Sequence, residues 1–180
     1  DHEINDNVNN TFRAEDGKIV VSYDEYDQFD DKFGYLFYDR EFSHYRLRFE
    51  YRFTGDQTPG APEWAFRNSG IKFHCPSPRS IQVSQYSPVA VEMQLLGGDG
   101  SNKRSTANVC TTGTLFEMND TMVHQHCVSS VSRTYHGDQW VSVELEVHGS
   151  EMVKHYVNGR KVLHYENIIL DRDDPMAAEL

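Results

Sequence analysis

Apolar and polar residues alternate along much of this chain with the period of a strand. Over residues 44–53, Tyr45, Leu47, Phe49, Tyr51 and Phe53 fall on one face, and His44, Arg46, Arg48, Glu50 and Arg52 on the other. That pattern predicts a strand with one buried and one wet face. Residues 139–148 repeat it, with Val141, Val143, Leu145 and Val147 on one side. Further strands are expected near 18–23, 33–39, 70–74, 89–96, 106–110, 113–118, 123–129, 152–157 and 161–165. Asn158-Gly159, between the last two, is a two-residue hairpin signal, and Gly149-Ser150 marks another turn. Many short strands and few helical windows predict an all-β fold, a β-sandwich or barrel. At the end of the sequence Asp174 suits a helix cap and Pro175 the first helical position. About one turn follows, so the domain is expected to be truncated there.

The 180 residues suit a single domain spanning 1–180. Lys and Arg number 17 against 28 Asp and Glu, a formal net charge of −11. Such a surface repels phosphate backbones and anionic lipid, so neither nucleic acid nor a membrane is an expected partner. An aromatic share of 12% argues against disorder. No apolar run approaches the length of a membrane-spanning helix. The chain begins at Asp1 with no signal-like segment, the expectation for a processed or trimmed product.

The cysteines are Cys75, Cys110 and Cys127, with no C-x-x-C pair to suggest a zinc ribbon or redox motif. Cys110 and Cys127 flank a Thr- and Val-rich segment with turn residues at its middle, and two strands joined by that turn would bring them together. A bridge there closes a loop of about 18 residues and contributes roughly 3 kcal/mol. Three buried thiols are the alternative. A bridge would place the protein in an oxidising compartment.

Two loops and several polar groups are candidates for chemistry. Residues 54–69 form a long loop carrying Trp64 and Phe66, and residues 97–105 are polar and glycine-rich. Asn68-Ser69-Gly70-Ile71 leads from the first loop into a strand that carries Lys72 and His74. In Val91-Glu92-Met93-Gln94-Leu95, Glu92 and Gln94 share a face. Side by side on a wet concave face, they form a carboxylate–amide platform able to grip adjacent hydroxyls. An ordinary solvent face is the plainer account. His124 and His126 would share a strand face, but no third metal ligand accompanies them. Asp99, Ser101 and Asn102 have some spacing of a calcium loop without its further acids. No cofactor or metal is therefore expected; calcium at that loop is the alternative. Thr134–Trp140 crowds His136, Asp138 and two aromatics at a strand entrance. No nucleophile elbow, phosphate loop or dinucleotide fingerprint is present.

In order, Phe33-Gly34-Tyr35-Leu36-Phe37-Tyr38, residues 42–53 and Asn68-Ser69-Gly70-Ile71 resemble the first half of the 3-keto-disaccharide hydrolase domain family. Residues 91–98, Thr106–Thr114, Tyr135-His136-Gly137-Asp138-Gln139-Trp140 and Val157-Asn158-Gly159 resemble its second half. The resemblance covers most of residues 12–170. It implies a concanavalin-like jelly-roll sandwich, antiparallel and with a sugar site on its concave face. It also implies a bacterial periplasmic or secreted location and cleavage of glycosides oxidised at C3. A ketone at C3 acidifies the C2 proton; a base removes it, the C1 substituent leaves, and water adds back. On this resemblance Glu92 is the leading carboxylate, Gln94, Asn68 and Ser69 are hydroxyl ligands, and Trp64 belongs to the substrate-binding set. His74, His136 and Arg52 are the other candidates for base or enolate stabiliser. Family members usually end in a Gly-x-Ile-x-Leu-Gln strand and a Phe-Arg-Asn-Ile motif, which do not follow Leu170 here. The closing strands are thus expected to be missing. A non-catalytic carbohydrate-binding module on the same sandwich is the competing function, and a structural sandwich domain is a third. A neutral carbohydrate is the expected partner; the sequence carries no signal for oligomeric state.

Overall fold

The computed structural model describes residues 5–82, 85–178 and 180. Strand alternation decides the architecture. The inward rows Val91, Met93 and Leu95, and Val141, Val143, Leu145 and Val147, are all nearly free of solvent contact. Each large apolar side chain so placed contributes about 1.5–3 kcal/mol by leaving water. Two antiparallel sheets close over these rows, and one hydrophobic core joins them.

The first sheet has six strands in the order β3 (His44–Tyr51), β10 (Val141–His148), β11 (Met152–Val157), β12 (Arg160–Leu170), β7 (Thr114–Met118) and β8 (Thr121–Val123). The second has four, in the order β4 (Asn68–Phe73), β5 (Ala90–Leu96), β6 (Asn108–Thr112) and β9 (Cys127–Val128). Phe73, Val91, Met93 and Val109 of the second sheet enter the same cluster as Leu145, Val153, Phe116 and Tyr165 of the first. The fold is thus a β-sandwich, as the alternation predicts. A separate ribbon of β1 (Phe12–Glu15) and β2 (Lys18–Val21) precedes it.

Asn158-Gly159 joins β11 to β12 as a two-residue turn, with φ of 48° and 75°. Asp174 does cap a turn, its Oδ1 accepting from the amides of Met176 and Ala177 at 2.8 and 3.2 Å. That turn does not develop into a helix among the described residues.

Three expectations are corrected. Residues 33–39 form no strand. Their alternating aromatics pack against other rings instead: Phe33 stacks on Trp64 and meets Tyr86 edge-on. Residues 123–129 are two strand ends with a crossover between them, because β8 belongs to the six-stranded sheet and β9 to the other. His124 and His126 lie in that crossover, off any strand, and His126 Nδ1 donates to the Thr111 carbonyl at 2.7 Å. Cys110 and Cys127 are bonded, but not across a single hairpin. The chain leaves β6, forms β7 and β8 in the opposite sheet, and returns as β9 beside β6.

Candidate functional site

Because strand side chains alternate, the residues that leave Ile71, Val91, Met93 and Val109 in the core send their neighbours outward. Register aligns those neighbours across the four-stranded sheet. Lys72 pairs with Glu92, Gly70 with Gln94, Gln94 with Asn108, and Glu92 with Cys110, which pairs in turn with Cys127. One outer face therefore holds an ammonium, a carboxylate, two amides and a disulfide.

Lys72 Nζ donates to Glu92 Oε2 at 2.8 Å, with 20% and 18% of the two side chains exposed. The pair is sheltered enough to escape much solvent screening, yet open to a ligand. Gln94 Oε1 accepts from Asn108 Nδ2 at 3.1 Å. Asn108 is itself fixed by Ser105 Oγ and the Ser130 amide, both donating to its Oδ1.

Aromatic side chains border this face. Asn68 Nδ2 donates to the Trp64 carbonyl at 3.0 Å, tying the loop that carries Trp64 to the start of β4. Trp64 lies nearly parallel to Phe33, with ring centres 6.0 Å apart and planes 11° apart. Trp64 and Tyr86 remain 50% and 65% exposed, so the wall they form is open to a ligand. Tyr35 donates to the Tyr86 carbonyl at 3.4 Å. Burial raises the Tyr35 phenol above its ordinary pKa, and the Glu92 charge adds to that. Burial likewise pushes the Cys75 thiol up to about 11, with Lys72 opposing and Glu92 reinforcing. Cys75 is the free cysteine, and such a thiol stays protonated.

The structure thus gathers Glu92, Gln94, Asn68 and, at the border, Trp64. It places the other candidates elsewhere. Ser69 alternates to the face opposite Glu92. His74 Nε2 donates to the Gly149 carbonyl at 3.0 Å, in the turn between β10 and β11; partial burial lowers its pKa. His136 packs close against Gly98, and its Nδ1 accepts from the Gly100 amide at 2.9 Å, so it shapes the glycine-rich loop. The Arg52 guanidinium lies 4.9 Å from the centre of the Trp140 ring.

Lys72, Tyr35, Tyr86 and Phe33 are the members of the site that sequence reasoning missed. Lys72 had a usable signal: alternation puts it on one face with Gly70 and Asn68. The three aromatics sit in segments whose packing no local period reveals.

Asp99 accepts from the amides of Ser101 and Asn102, both at 2.8 Å, and from the Asn102 side chain at 2.7 Å. These donors hold its carboxyl well below the usual range and close the loop on itself. Among the described residues no group of three or more His, Cys, Asp or Glu side chains could hold a metal ion. No helix among them is long and apolar enough to cross a membrane.

Compared with known proteins, the chain matches the family model of the 3-keto-alpha-glucoside-1,2-lyase-like domain over residues 2–176. No curated protein and no solved structure matches it. The match takes in both sheets and the whole Lys72–Glu92 face, and the chain belongs to this glycoside-cleaving family, the 3-keto-alpha-glucoside-1,2-lyase-like domains.

Proposed function

We propose that this domain cleaves glycosides oxidised at C3 of the sugar, on the outer face of the four-stranded sheet, with Glu92 as general base and Lys72 as enolate stabiliser. The 2.8 Å Lys72–Glu92 pair carries the reading. A base and a cation side by side suit a substrate whose acidic C2–H adjoins its C3 ketone. Glu92 removes the C2 proton, and the electron pair moves onto the C3 oxygen, opposite the Lys72 ammonium. The enolate then re-forms the ketone as its electrons make the C1=C2 bond and the C1–O bond breaks. The departing oxygen takes up a proton, for which the Tyr35 phenol, protonated at neutral pH, is the donor. Water adds across C1=C2, and the net change is hydrolysis with no redox step. Gln94 and Asn68 grip sugar hydroxyls, and Trp64 and Tyr86 hold a ring face. The Cys110–Cys127 bond supports work in an oxidising compartment, periplasmic or secreted.

The open Phe33–Trp64 stack favours a second reading, a carbohydrate-binding module without catalysis. Incubation with a 3-keto-glucoside, followed by release of the aglycone, separates the two. Release by the wild type and its loss in Glu92→Gln, with binding retained, supports the enzyme. Full activity in Glu92→Gln removes that carboxylate from the mechanism. Binding without release in the wild type supports the module.

A further inference from the structure

Gly70 faces outward on β4, diagonal to Glu92 on β5. A Cβ built on Gly70 would lie 2.2 Å from Glu92 Oε1 and 2.7 Å from both its Cδ and its Cγ. A real Cβ essentially never comes so close to a non-bonded atom, so Glu92 would have to move. The three nearest atoms all belong to Glu92, so the space that the absent side chain leaves is filled by this one residue. The backbone offers no competing reason for glycine. Gly70 is not among the positive-φ residues, so its conformation is open to any L-residue. A glycine inside a strand also weakens that strand. What Gly70 supplies is room.

That room has a consequence for the carboxylate. Glu92 lies down across β4 with Oε1 over Gly70, and in this pose Oε2 accepts from Lys72 Nζ at 2.8 Å. A side chain standing away from the sheet would give up one contact or the other. We propose that Gly70 is a positioning residue: its missing side chain is the berth that holds the Glu92 carboxylate flat against the sheet and on Lys72. The inference rests on the function proposed above for its catalytic meaning, but the berth itself can be tested without activity.

The experiment places Gly70→Ala in the wild-type chain and in a Glu92→Ala background. With Glu92 present the added methyl has to displace it, and the melting temperature is expected to fall. With Glu92 truncated the three atoms nearest the methyl are gone, and the melting temperature is expected to hold or rise, as for an unstrained Gly→Ala change in a strand. If Gly70→Ala alone fails to fold and the double variant folds, that is the same reversal in stronger form. An equal change in both backgrounds overturns the proposal. In turnover of a 3-keto-glucoside, Gly70→Ala is expected to lose tenfold or more in kcat with KM changed less than threefold. A merely loosened fold would not produce that split. An unchanged kcat in an active wild type overturns the positioning role. A reversal of melting temperature in a protein that releases no aglycone keeps the berth and sinks the proposed reaction instead.

Discussion

Cys110 stands opposite Glu92 in the β5–β6 register and is bonded to Cys127, so a disulfide lies beside the carboxylate on the outer face of the four-stranded sheet. The bond also holds the sheet's edge. β9 is only Cys127–Val128, and its pairing with β6 consists of two residue pairs. Two pairs make a weak attachment, helped on either side by the Thr111 amide donating to the His126 carbonyl and the Ser130 amide donating to Asn108 Oδ1. The bridge spans 17 residues, and removing it as Cys110→Ser/Cys127→Ser is expected to cost roughly 3 kcal/mol through the freed unfolded chain. Urea denaturation with and without reductant measures this. Identical midpoints would show that β9 needs no bridge.

Lys72 is the clearest new member of the site, and its removal separates charge from packing. Lys72→Met keeps the aliphatic stem and deletes the ammonium that Glu92 accepts from. If that ammonium stabilises the enolate, kcat should fall by about 10²–10³, the usual cost of losing one stabiliser of developing negative charge. KM should change little, since the charge develops in the transition state. A large rise in KM at constant kcat would make Lys72 a ground-state ligand.

Trp64 answers a different question. Its ring is half exposed and braced by Phe33. A sugar or aglycone face laid on it gains about 1–2 kcal/mol, so Trp64→Ala should weaken substrate binding roughly 5–30-fold. The check is KM, or calorimetric titration with the Glu92→Gln protein. Unchanged affinity would remove the aromatic wall from the site.

The sandwich was legible because burial on one face forces a period of two, and the rows from Val91 to Leu95 and from Val141 to Val147 obey it without a break. Of the β1–β2 hairpin, which turns at Asp16-Gly17, only the second strand was legible, since four residues carry too little of a period. Glu92 and Gln94 were legible as an outward pair, but a single strand says nothing about what stands beside it. Alternation puts Lys72 on one face with Gly70 and Asn68, but its place beside Glu92 comes only from the β4–β5 register. The histidines lie apart from that face for a related reason. His74 and His136 have the right chemistry, yet each is committed to a neighbouring loop, and side-chain direction in irregular segments follows no period. Phe33 and Tyr35 mimic a strand because they alternate, although they alternate over a surface and not along a ladder.

His155 makes the stability of the fold depend on pH at the acid end. It is fully buried, its Nδ1 donating to the Ala107 carbonyl at 2.9 Å and its Nε2 accepting from the Tyr165 hydroxyl at 3.0 Å. These bonds fit the neutral ring, and burial pushes its pKa down from the ordinary 6.5 to about 4. The folded state therefore binds a proton less readily than the unfolded chain. Stability from the neutral imidazole is fully present above pH 6.5 and is lost as pH falls toward 4. The loss reaches about 2 kcal/mol at pH 5 and roughly 3 kcal/mol below pH 4. His155→Asn loses stability at neutral pH but also loses this proton linkage. Between pH 7.5 and pH 5, urea denaturation should show the wild type losing about 2 kcal/mol more than the variant. Equal losses would mean that the buried imidazole is not what makes the sandwich acid-sensitive.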